Sequence, residues 1–129
     1  MKKKSKKGFT LIELVVVIAI LGILAAILIP VISGFIDTAN EAADNANGRL
    51  IYQAAAMWYA AKNEASAGLT AANIKPYTGL DTLPNLKSKK LSAGTGGWSI
   101  VVAANGEITV KFNNATYNPA TAKFEVATG

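Results

Sequence analysis

At 129 residues the chain has room for one small domain, yet 51% of it is hydrophobic and only 16% charged, against about 25% charged in an ordinary soluble domain. It contains neither cysteine nor histidine; this excludes disulfides, thiolate nucleophiles, zinc sites built on Cys or His, and every Ser-His or Cys-His pairing, and points away from an enzyme. The net charge of +5 sits at one tip: five of the 13 basic residues are Lys2, Lys3, Lys4, Lys6 and Lys7, and from Phe9 onward basic and acidic residues balance, so no face tracks phosphates and no nucleic-acid partner is expected.

Residues 9–29 read FTLIELVVVIAILGILAAILI, in which only Thr10 and Glu13 are clearly polar. As a helix this run spans about 30 Å, the hydrocarbon thickness of a bilayer. The lysines before it predict a cytoplasmic N-terminus, with Pro30 onward outside. A secretory signal peptide is one alternative, with Ala25-Ala26 imitating a cleavage site, but its apolar stretch would be only about 7–15 residues long. A plain membrane anchor is another. Neither has a use for Glu13, since a charge near the bilayer centre costs about 2.5–3.5 kcal/mol on insertion scales. Either Glu13 sits shallow and snorkels, or it awaits a cation. A cut after Gly8 would supply one, because Phe9 would gain a free ammonium group four residues from Glu13, within helical reach.

The segment Lys6-Lys7-Gly8-Phe9-Thr10-Leu11-Ile12-Glu13-Leu14, with the apolar stretch to Pro30, resembles the class III leader and N-terminal helix of type IV prepilins. The resemblance is close over about the first 30 residues and architectural beyond them. It implies cleavage between Gly8 and Phe9, N-methylation of Phe9, and use of Glu13 with Phe9 in assembly. A buried charge is far less costly when paired, so Glu13 of one subunit is expected to meet the Phe9 amine of its neighbour. Apolar packing between copies then supplies the remaining attraction. Pro30 removes a backbone hydrogen bond and Gly22 weakens the same stretch; a kink is predicted near Pro30, and the resemblance implies a soft segment from residue 22 to 30.

Residues 37–48, DTANEAADNANG, are predicted to form an exposed or intersubunit helical stretch. Leu50/Ile51, Ala54/Ala55, Met57/Trp58 and Ala61 then recur at helical period and predict a core-facing stripe. The reading is one helix over residues 9–63, roughly 80 Å long. Residues 64–97 are predicted as a loop, with Thr70 capping a short helical turn that ends near Pro76. Leu69, Ile74, Tyr77, Leu80, Leu83, Leu86 and Leu91 are its expected anchors. Lys87, Lys89 and Lys90 read as a solvated turn, and AGTGG at 93–97 lacks the helix and Lys-Ser/Thr of a phosphate cradle.

Residues 98–103 and 107–113 flank Asn105-Gly106, a strong hairpin signal. A three-residue loop over 104–106 pairs Trp98 with Phe112, Ile100 with Val110 and Val102 with Ile108, placing all six on one face. A third strand is predicted over residues 123–127, with Phe124 and Val126 inward and Asn118-Pro119 in the turn before it. The resulting fold class is α+β: a pilin-like fold whose long helix packs on a three-stranded antiparallel sheet. Many proteins of the resembling family close this end with a disulfide, so here strand pairing and Phe124 must hold it. Asn114-Ala115-Thr116 matches a glycosylation acceptor by chance, and Asp81, Glu107 and Glu125 are too scattered for calcium.

The expected organisation is a leader over residues 1–8, a membrane or filament-core helix over 9–36, and a globular domain over 37–129. The expected function is that of a pilin polymerising into a type IV pilus for adhesion, motility or aggregation, not an enzyme, with no cofactor and no metal. Implied partners are further copies in a helical filament, a prepilin peptidase/N-methyltransferase, inner-membrane assembly machinery, and lipid before assembly. The precursor would cross the cytoplasmic membrane once and the filament would be extracellular. The rival readings are a pseudopilin of a type II secretion or DNA-uptake system, and a membrane-anchored binding module that never polymerises.

Overall fold

The computed structural model describes residues 8–127; the lysine cluster at residues 2–7 lies outside them. The chain divides into two units, Met1–Ile36 and Asp37–Gly129. Helix α1, Leu11–Lys62, contributes to both, and its assignment continues without a break through Pro30. Within the first unit, Ser33 Oγ donates to the Ile29 carbonyl at 2.9 Å, a back-bond of the kind that bends helices. Pro30 has no N–H to offer the carbonyl of Ala26.

The second unit packs the C-terminal part of α1 against an antiparallel sheet of four strands in the order β1-β2-β3-β4: β1 Trp98–Val102, β2 Ile108–Phe112, β3 Ala115–Asn118 and β4 Lys123–Val126. The β1–β2 register is the one expected from the alternation: Trp98 opposite Phe112, Ile100 opposite Val110, Val102 opposite Ile108. Ala103 N donates to Glu107 O, which closes a three-residue loop, and Gly106 takes φ 88°, a left-handed conformation that glycine adopts without strain. Ile100, Val102, Val110 and Phe112 are buried, and Trp98 and Ile108 pack against them.

The sheet has one strand more than the three predicted. Phe112 pairs with Ala115 across the two residues Asn113-Asn114, and Asn113 adopts φ 53°. Asparagine tolerates that region better than most residues, so the chain reverses at once and Ala115 and Tyr117 turn into the core. β4 was expected as the third strand and pairs with β3, with Tyr117 opposite Phe124. Phe124 is buried and Val126 half-buried.

The buried stripe of α1 is narrower than its periodicity suggested. Ile51, Ala54, Ala55 and Trp58 are buried, Leu50 is half-buried, and Met57 and Ala61 are exposed. Each residue advances about 100° around a helix, and the step from Trp58 back to Met57 leaves the sheet-facing side. Residues 37–48 are helical, as expected, but not simply an exposed stretch. Asp44 is 2% exposed; its carboxylate accepts N–H bonds from Lys87 (3.0 and 3.2 Å) and Ser88 (2.7 Å). Asp37 accepts from Lys89 N at 3.1 Å. These two acids hold the start of α3, Lys89–Ser92. Gly48 is buried beneath the rings of Phe124 and Tyr117.

The connection between helix and sheet is anchored by buried Leu69, Ile74, Leu86 and Leu91, with Tyr77 and Leu83 packed at their margin. Helix α2, Ala71–Thr78, begins after Thr70, whose N–H donates to Asn73 Oδ1 at 2.9 Å. It passes Pro76 and ends at Gly79, φ 73°, whose N–H reaches the Lys75 carbonyl. The left-handed glycine therefore stops it, two residues beyond the predicted end. Trp98 Nε1 donates to the Pro84 carbonyl at 2.7 Å, tying the connection to β1. Part of the outer main chain of each flanking strand is occupied. Ser66 exchanges two bonds with Val102 and Leu69 N donates to Ile100 O. At β4, Phe124 N donates to Asn45 Oδ1 and Phe124 O accepts from Lys90 Nζ.

Candidate functional site

Within the first unit, no described residue covers the apolar side chains of the helix. Every large hydrophobic side chain from Phe9 to Ile36 is exposed, Phe9 at 91%. The apolar residues encircle the axis, so no polar face is available to water. Such a surface needs lipid or other chains around it.

At its beginning, Thr10 and Glu13 form a reciprocal cap. Thr10 N donates to Glu13 Oε2 and Glu13 N donates to Thr10 Oγ1, each at 3.3 Å. Leu14 N donates to the Thr10 carbonyl at 3.2 Å, the first rung of the helix. Thr10 and Glu13 thus satisfy donors that a helix start leaves orphaned. The Thr-x-x-Glu spacing carries the pairing, although in the sequence Thr10 reads only as one polar residue in a greasy run. The carboxylate also lies at the positive end of the helix dipole.

Phe9, Ile12, Glu13, Val16 and Val17 line one groove of about 410 Å³, so Phe9 and Glu13 share a face. In the chain as it stands the Phe9 nitrogen is a peptide nitrogen joined to Gly8, and only a cut between them would convert it to a cation. Gly8 has open space around its α-carbon, so nothing among the described residues shields that bond. Gly22 likewise has room for a side chain, and no packing contact among the described residues demands glycine there. Pro30 lies inside α1, far along the helix from the Phe9–Glu13 face.

Among the described residues no group of three His, Cys, Asp or Glu side chains is placed to hold a metal ion. Residues 3–29 match the family model for the prokaryotic N-terminal methylation motif, the class III leader of type IV pilins. The match covers the N-terminal segment alone; together with the α+β fold it supports a type IV pilin-like or pseudopilin protein. No solved structure matches the chain.

Proposed function

We propose that the chain is the precursor of a structural subunit that polymerises into a type IV pilus. The carrying observation is the methylation motif on a helical segment whose large apolar side chains, from Phe9 to Ile36, are all exposed. Before assembly the surface is buried in the cytoplasmic membrane, with the lysine tip inside and residues 37–129 outside. A prepilin peptidase cleaves between Gly8 and Phe9 and the new amine of Phe9 is methylated. Within the filament the same surface packs against its copies, and Glu13 of one subunit exchanges its own Thr10 partner for the Phe9 ammonium of the next. Residues 22–30, with glycine at one end and proline at the other, are the segment that yields when helices crowd together.

The test is mass spectrometry and electron microscopy of filaments sheared from cells producing the protein. The expected subunit lacks residues 1–8 and carries one added methyl group. A full-length polypeptide still beginning at Met1, with no filaments, would leave a tethered domain in place of a pilin.

A further inference from the structure

The second unit carries a cleft of about 340 Å³ lined by Arg49, Tyr52 and Gln53 of α1 and by Tyr117, Pro119 and Ala122 of the β3–β4 end. It lies outside the uncovered helix and plays no part in the assembly reading. Its polar side chains are a guanidinium, two phenols and an amide, and it has no acidic member. Arg49 is the single arginine of the chain, and among the described residues it pairs with no carboxylate. The Tyr52 and Tyr117 rings stand 5.8 Å apart at 46°, packed against each other as one aromatic wall.

The wall made by the β3–β4 loop is fixed in advance. Ala120 N donates to Asn118 Oδ1, Asn118 Nδ2 donates to Glu125 Oε1, and Thr121 Oγ1 donates to the same oxygen. Ala122 is held at φ 56°, a left-handed conformation costing a non-glycine residue about 1–2 kcal/mol, of the kind that collects at binding sites. A rigid, donor-rich cleft with an unpaired cation suits an anion, because little ordering is needed on binding. The volume is at the low end for ligand clefts, about 300–1,000 Å³, and suits one ring. An aromatic wall packs against one C–H face of a sugar while the Gln53 amide and the Tyr52 phenol are available to its hydroxyls.

We propose that the Arg49–Tyr52–Tyr117 cleft binds a carboxylated sugar ring, the unit of an acidic glycan, with Arg49 clamping the carboxylate and the tyrosine pair packing on one face of the ring. The inference holds whether or not the chain polymerises, since the cleft lies wholly within one copy. It is tested on the full chain in detergent micelles by ligand-observed saturation-transfer NMR titration with glucuronate, glucose and acetate. Glucuronate is expected to bind at least tenfold more tightly than either of the others. Arg49→Gln is expected to weaken glucuronate at least tenfold, as loss of a charge-assisted bidentate contact implies. Tyr52→Phe, which removes one oxygen and keeps the wall, is expected to weaken it about threefold with unchanged melting, and it carries the test should Arg49→Gln unfold. Equal binding of glucose or acetate, absence of glucuronate binding, or undiminished binding by a folded Arg49→Gln would overturn the proposal.

Discussion

Gly48 lies directly against the ring of Phe124: a Cβ built on Gly48 would stand 2.5 Å from Phe124 Cε2 and 2.7 Å from Tyr117 Cδ2. Both rings are themselves held, Tyr117 edge-on to Phe124 at 5.5 Å and Trp98 against Phe124 at 6.0 Å. Neither can retreat without disturbing the other. Gly48→Ala is therefore expected to destabilise the second unit by about 1–3 kcal/mol, despite alanine's better helix propensity. Gly22→Ala, where space is open, should leave the unit's melting unchanged. Thermal unfolding of the two variants followed by near-ultraviolet circular dichroism checks both.

Asp44 is a buried polar tie between α1 and the connection. Asp44→Ala would leave the Lys87 and Ser88 N–H groups without their acceptor, at a cost of about 1–3 kcal/mol for each buried group left unsatisfied. Asp44→Asn keeps one acceptor oxygen and should cost less. Hydrogen exchange at the Lys87 and Ser88 amides should accelerate in Asp44→Ala ahead of global unfolding. Protection equal to that of the unaltered chain would show that the carboxylate does not hold the segment.

Glu13 has two separable roles, as the partner of Thr10 within its own helix and as a charge. Glu13→Gln retains an amide oxygen that can complete the cap but carries no charge for a Phe9 ammonium. Leader cleavage is expected to proceed normally and filament yield to fall at least tenfold. Filaments at the usual yield from Glu13→Gln would mean that capping, not ion pairing, is what the position supplies.

Burial raises the pKa of the Tyr117 phenol above its ordinary 10.0; Arg49 partly opposes the rise and Tyr52 adds slightly to it. Between the unfolded value and this higher one, the folded chain holds a proton that the unfolded chain has released. The associated stability is intact below about pH 10 and declines as pH climbs through the folded value. Arg49→Gln removes the lowering influence and should move the phenol still higher. Ultraviolet tyrosinate titration of the two proteins reads the difference, and an unmoved or lowered Tyr117 transition would contradict it.

How much of this was visible beforehand differs from element to element. The β1–β2 register was legible because turn chemistry at Asn105-Gly106 and alternation on both flanks agreed on one pairing. β3 was not, because it is four residues long and its turn is Asn113-Asn114, without the glycine that announces a reversal. The roles of Asp44 and Gly48 could not be read locally. Asp44 meets its partners 43 and 44 residues away, and Gly48 reads as a weak spot in a helix until the aromatic rings above it are in place. Met57 reads as core in the sequence and is exposed in the fold, because two adjacent apolar residues per turn leave the edge of the stripe ambiguous by one step. In the N-terminal segment the motif itself was plain from Gly8, Phe9 and Glu13, while the Thr10 cap needed the geometry.

Both flanks of the sheet are engaged in part, at Ile100 and Val102 by Ser66 and Leu69 and at Phe124 by Asn45 and Lys90. Each such tie interrupts the row of free N–H and C=O groups on which a stranger's strand could dock. Crowded copies are to that extent guarded against runaway cross-β stacking. Among the described residues, the hungrier surface is the oily rod at the start of the chain.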